Sequence, residues 1–134
     1  MKITILVLLL LLNLTGCVSG PRPTATDMAL ADTAVTHLVI ESGQGYELNP
    51  LGFPATIVIK SIVLKNISTI KKCKERMFWD RAMSAIWGGA TVNNMVVLIG
   101  AWTPVIGMTT FIATTATIWN YRLDKDQLYC DTAP

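Results

Sequence analysis

The chain has 134 residues, 51% of them hydrophobic and 15% charged, with a net charge of +2. That is room for one small domain, and the charged share falls well below the ~25% of an average soluble domain, which points toward a membrane. The near-neutral balance and the lack of any nucleic-acid-reading motif exclude a nucleic-acid partner held by a basic surface.

The first seventeen residues read MKITILVLLLLLNLTGC. Lys2 supplies a short positive region, Ile3 to Leu12 an apolar core, and small residues lead into Cys17. This is the layout of an export signal, too short for a settled spanning helix. Leu14-Thr15-Gly16-Cys17 resembles the lipobox of bacterial lipoproteins. The resemblance implies a signal peptide over 1–16, a diacylglyceryl thioether on Cys17, cleavage before it and acylation of the new amine. An ordinary cleaved signal, or an uncleaved anchor, is the alternative. Residues 17–25, with two prolines and no periodicity, read as a flexible tether.

Residues 26–72 read as an amphipathic helical hairpin. In TDMALADTAVTHLVIES, Asp32, Thr33, Thr36, His37 and Glu41 recur at helical spacing opposite Met28, Ala31, Val35, Leu38 and Val39. In PATIVIKSIVLKNIS, Lys60, Ser61, Lys65 and Ser68 form a similar stripe against isoleucines and Val63. Between them, GYELNPLGFP supplies the turn. Gly43 and Gly45 suit the end of the first helix, Asn49-Pro50 is a turn dipeptide, and Pro54 fits the first turn of the second.

Residues 73–134 read as a transmembrane hairpin with a polar C-terminal tail. Between Arg81 and Arg122, forty consecutive residues carry no charge, a length that could supply two membrane helices at ~20 residues each. Trp102-Thr103-Pro104 marks the break, giving helices from about Phe78 to Ala101 and from about Pro104 to Tyr121. Ser84, Ala85, Gly88 and Gly89 on one helix, with Gly107, Thr110, Ala113, Thr114 and Thr117 on the other, would let the backbones approach closely. The fold class expected is therefore all-α, a small membrane bundle of about four helices after a lipoprotein signal.

Asp32-Thr33-Ala34-Val35-Thr36, then Glu47-Leu48-Asn49-Pro50, then Lys60 resembles a family of small, uncharacterised bacterial and phage membrane proteins. Its members carry an Asp-x-x-x-Thr helix, a Gly-rich approach to Glu-x-Asn-Pro and a lysine in the next helix. The resemblance covers residues 26 to about 65 and implies a compact multi-helix membrane fold, with no assigned activity.

Ionisable residues inside a membrane segment are costly and pair with one another. Counting ~1.5 Å of rise per residue puts Asp32 and Lys60 within a lysine's reach across the hairpin. Asp32 and Lys60 are thus the expected buried pair, with Thr36, Glu47, Asn49 and Asn94 as candidate members of a polar network. The alternative is a hairpin lying on the membrane surface with those charges solvated. His37 is the only histidine, which argues against a metal site, and no cofactor is implied. Cys73 and Cys130 allow one intramolecular disulfide in an exported protein. Four spans after an exported Cys17 would place both cysteines outside, together with Lys65, Lys71, Lys72, Lys74 and Arg76, against the positive-inside tendency.

No nucleophile sits at a recognisable spacing from a base, and no phosphate loop is visible, so no catalytic residue is assigned. The expected function is a lipid-anchored envelope protein with exported-side termini at the inner membrane, scaffolding or modulating a membrane-protein partner or a second copy. The alternatives are an intramembrane enzyme using Asp32, Lys60, Glu47 or His37 in proton transfer, and a phage-type factor in superinfection exclusion or lysis.

Overall fold

The computed structural model describes residues 22–44 and 52–132. Cys17, Glu47, Asn49 and Pro50 lie outside the described residues. Four helices follow in order: α1 (Ala25–Glu41), α2 (Gly52–Thr69), α3 (Cys73–Leu98) and α4 (Pro104–Thr132). The described chain is all-helical.

Local chemistry sets the helix ends. Thr24 caps α1 in a reciprocal box: its hydroxyl accepts from the Asp27 amide at 3.2 Å, and the Asp27 carboxylate accepts from the Thr24 amide at 2.9 Å. Gly43, at φ +70°, closes the helix in the left-handed region that other residues avoid. Gly100 (φ +72°) does the same after α3. The Thr103 hydroxyl accepts from the Ile106 amide at 3.2 Å, so α4 starts with Pro104 in its first turn, where a missing amide costs nothing.

The helices alternate in direction. The base of the bundle gathers the start of α1, the end of α2, the start of α3 and the end of α4. The Ala25 amide meets Asp80 there, and Cys73 is joined to Cys130. At the opposite tip, Val35 and Val39 of α1 pack on Met95 of α3, with Val97 and Leu98 alongside. Helices α3 and α4 approach closely. A Cβ on Gly89 would overlap the Thr115 hydroxyl and come within 2.9 Å of the Phe111 carbonyl oxygen, and one on Gly88 would overlap Ile118. Glycine at these positions lets the two backbones approach.

Helix α2 stands apart. It buries only Lys60 and Ile67, and Ile57, Val58, Ile59 and Ile62 are exposed.

The expected transmembrane hairpin needs correction. Among the described residues, no helix is long and apolar enough to cross a membrane. The uncharged run is divided between α3 and α4, and each half is diluted by glycine, threonine and asparagine, including Gly88, Gly89, Asn93 and Asn94 on α3 and Thr109, Thr110, Thr114, Thr115 and Thr117 on α4. Both helices also run past the run's ends: α3 begins at Cys73 rather than Phe78, and α4 continues to Thr132 through the segment expected as a polar tail.

Candidate functional site

Among the described residues, two buried polar networks occupy the bundle. The upper one joins α1, α2 and α3. Asp32 lies on the inner face of α1, where the apolar stripe that carries Met28, Val35 and Val39 also turns it inward. Lys60 reaches it from α2: Lys60 Nζ donates to Asp32 Oδ2 at 2.7 Å and to Thr33 Oγ1 at 3.0 Å. Both charged residues are more than nine-tenths buried. From α3, Asn94 Nδ2 donates to Asp32 Oδ1 at 3.1 Å and to Thr36 Oγ1 at 2.8 Å. A buried ion pair needs such added hydrogen bonds, because its mutual attraction alone does not reliably offset desolvation.

His37 takes no part in this network. Its ring stacks on Phe53 with centroids 5.6 Å apart, and Nε2 lies 3.2 Å from Glu41, both side chains being exposed.

The basal network joins the segment before α1 to α3 and α4. Arg122, fully buried, donates to Ser84 Oγ at 2.6 Å, Asp80 Oδ2 at 2.7 Å and Asp126 Oδ1 at 2.9 Å. Arg22 donates to the same Asp126 Oδ1 at 3.0 Å and lies over the Tyr129 ring, 4.1 Å from its centroid. Asp80 Oδ1 in turn accepts from the Ala25 amide at 3.1 Å, and Ser84 Oγ donates to the Pro23 carbonyl at 3.2 Å. This network locks Arg22, Pro23 and Ala25, the end of the segment read as a flexible tether, onto the base.

Arg81 is the odd member. It is buried, stacks on Trp119 at 4.5 Å and approaches Asp126 Oδ2 only to 3.9 Å. Among the described residues, Arg81 Nε and Asp126 Oδ2 have no hydrogen-bond partner. Both residues line a cavity of about 150 Å³ whose wall also includes Lys74, Met77, Phe78 and Leu123.

Of the residues singled out from the sequence, the structure brings Asp32, Thr36, Lys60 and Asn94 together, and joins Cys73 to Cys130 in a disulfide with Cα atoms 5.8 Å apart. Glu47 and Asn49 fall outside the described residues, as does Cys17. Sequence reading missed the basal network. Arg81 and Arg122 served there only as the borders of an uncharged run, and Ser84 only as a small packing residue. The available signal was that both borders of a hairpin meet at its base, so Asp80-Arg81 and Arg122-x-x-x-Asp126 had to face each other.

Among the described residues no group of three or more His, Cys, Asp or Glu side chains could hold a metal ion. In the upper network Asp32 and Lys60 are each hydrogen-bonded to partners on neighbouring helices. Its chemistry is that of a fastening between helices. No family model, curated protein or solved structure matches this chain. The pattern of Asp32, Glu47-x-Asn49-Pro50 and Lys60 therefore carries no family assignment.

Proposed function

We propose that this chain is a lipid-anchored, non-enzymatic helical protein of the bacterial envelope, held to the membrane through Cys17 and by its uncharged end, where it scaffolds or modulates a membrane partner.

The observation that carries the reading is the segregation of charge along the bundle. All charged residues of α3 and α4 lie at the base, in Lys74–Arg81 and Arg122–Asp131. Beyond them α3 continues through seventeen residues to Leu98, ~26 Å at 1.5 Å per residue, without a charge. The charges that α1 and α2 bring into that zone are the buried Asp32–Lys60 pair and, towards the tip, the exposed His37 and Glu41, which lie 3.2 Å apart. The outer surface there is uncharged and exposes large apolar side chains between threonines: Val105 is 75% exposed and Met108 67%, with Ile99, Trp102 and Ile112 beside them. A surface of this kind, with its only central charges paired inside, suits lipid.

Two further facts support the anchor. Cys17 precedes Arg22 by five residues, a reach of at most ~18 Å, and Arg22 is fixed at the charged base. A lipid on Cys17 would hold that base at the headgroups. The Cys73–Cys130 disulfide fits an oxidising compartment.

The test is labelling with a radioactive or alkyne fatty acid during expression. Label on the wild-type chain that is lost in Cys17→Ser, with wild-type protein retained by membranes after carbonate washing, is the expected result. An unlabelled wild-type chain released by carbonate would end the reading.

A further inference from the structure

The basal network is one negative charge short. Among the described residues it gathers three guanidinium groups, Arg22, Arg81 and Arg122, around two carboxylates, Asp80 and Asp126. Arg122 and Arg22 take the hydrogen bonds. Among the described residues Arg81 donates none, although only 9% of its surface is exposed. A buried cation without a hydrogen-bonded counter-charge is costly, and so is the Asp126 Oδ2 atom left without a donor. Both defects sit in one place: Arg81 and Asp126 line the same cavity of about 150 Å³, with Lys74, exposed and 3.9 Å from Asp131, contributing a second cation to its wall. That volume exceeds the ~30 Å³ share of a single water.

The geometry points to a binding site for a phospholipid headgroup, with the phosphate on Arg81 and Lys74 and the headgroup's amine or hydroxyl donating to Asp126 Oδ2. An anion supplies the missing charge, and a donor covalently attached to it satisfies the orphan carboxylate oxygen. A phosphate alone would meet Arg81 and face Asp126 unfavourably, so the site asks for both groups in one molecule. Met77, Phe78 and Leu123 add apolar wall beside the polar pair, as a headgroup continuing into its glycerol and chains requires. Basic pockets at the level of the headgroups are where such lipids are held. The site itself rests on charge and geometry, while lipid as the source rests on the proposed membrane location. A free phosphorylated amine or polyol shares the chemistry.

The test uses the full chain with its disulfide intact, dispersed in a neutral sugar detergent and titrated with short-chain phosphatidylethanolamine, phosphatidylglycerol and phosphatidylcholine. Soluble glycerophosphoethanolamine forms a separate arm, and intrinsic tryptophan fluorescence reports through Trp119 beneath Arg81. Saturable binding of the first two is expected, with phosphatidylcholine, which lacks an N–H or O–H donor, weaker by roughly tenfold or more. Arg81→Gln should weaken binding by a similar factor. Lys74→Ala, at an exposed position, should weaken it too and raises no question of folding. Equal affinity for phosphatidylcholine, or binding unchanged in both variants, would overturn the site. Glycerophosphoethanolamine binding as tightly as the lipid would keep the site and overturn the lipid source. None of these arms depends on acylation of Cys17, so the Cys17→Ser chain should bind equally, and failure here is distinct from failure of the anchor.

Discussion

Lys60 Nζ and Asp32 Oδ2 lie 2.7 Å apart in the interior, and this pair is the chief polar link between α2 and the rest of the bundle. Removing one member leaves the other charged and buried without its counter-ion, which costs ~3–5 kcal/mol, whereas replacing both by apolar residues of similar volume is often close to neutral. Lys60→Met alone and Asp32→Leu alone should each lower stability by that order, and the double variant should recover most of the loss. Denaturant unfolding of the four chains provides the cycle. Additive losses would show that the two side chains act independently.

Helix α2 should also open first. With only Lys60 and Ile67 buried, it has little apolar contact holding it, and sparsely packed elements open at the low end of a protein's range of free energies. Hydrogen exchange followed by mass spectrometry should show faster exchange over Gly52–Thr69 than over the middle of α3, and Lys60→Met should speed α2 further. Equal protection of α2 and α3 would be inconsistent with this packing.

The α3/α4 seam predicts an asymmetry between adjacent glycines. At Gly88 an added methyl would press on the end of the Ile118 side chain, which can rotate away. At Gly89 it would press on the Phe111 backbone, which cannot. Overpacking of a tight core costs ~1–3 kcal/mol. Gly89→Ala should fall in that range and Gly88→Ala below it, as read from thermal unfolding. The reverse order would mean that α3 and α4 are held farther apart.

At the base, Arg122 ties Ser84, Asp80 and Asp126 together, and the Cys73–Cys130 bond closes the same end. A disulfide in a loop of this length contributes ~2–4 kcal/mol, chiefly by restricting the unfolded chain. The Cys73→Ala/Cys130→Ala chain should unfold at lower temperature than the oxidised parent and match the parent measured in reductant. An unchanged midpoint would remove the clasp from the account. Arg122→Met should be more damaging than either single-glycine change, because it removes the guanidinium that Asp80 pairs with, one of the two hydrogen-bonded to Asp126, and the donor to Ser84, all in a buried site.

Much of this arrangement was legible in the sequence, for physical reasons. Asp32 and Lys60 stand out as ionisable residues in segments rich in apolar ones, and the depth of each along its helix follows from a fixed rise per residue. Helical spacing groups Asp32 with the polar stripe, whereas it in fact shares the buried face with Met28, Val35 and Val39. The positions of Gly88 and Gly89 announce a close helix approach. What stayed hidden was distributed. Arg22 lies in a segment with no periodicity, so nothing local indicates that it reaches Asp126. Arg81 and Arg122 are forty-one residues apart, and their shared environment exists only once the hairpin has closed. The spanning hairpin was over-read for a related reason: absence of charge was counted as apolarity, and threonine, glycine and asparagine are uncharged without being greasy.

The most direct test of the account is the depth of Trp102, 47% exposed at the end of the bundle opposite Arg22. With Trp79, Trp87 and Trp119 changed to Phe, the acylated chain would be reconstituted in vesicles of phosphatidylethanolamine and phosphatidylglycerol. Quenching by lipids brominated along their acyl chains would then be compared with quenching by aqueous iodide. Strong quenching by the brominated chains with protection from iodide is the predicted result. Iodide quenching as efficient as for a free tryptophan, with no effect of the brominated lipids, would contradict a bundle seated in lipid by its uncharged end.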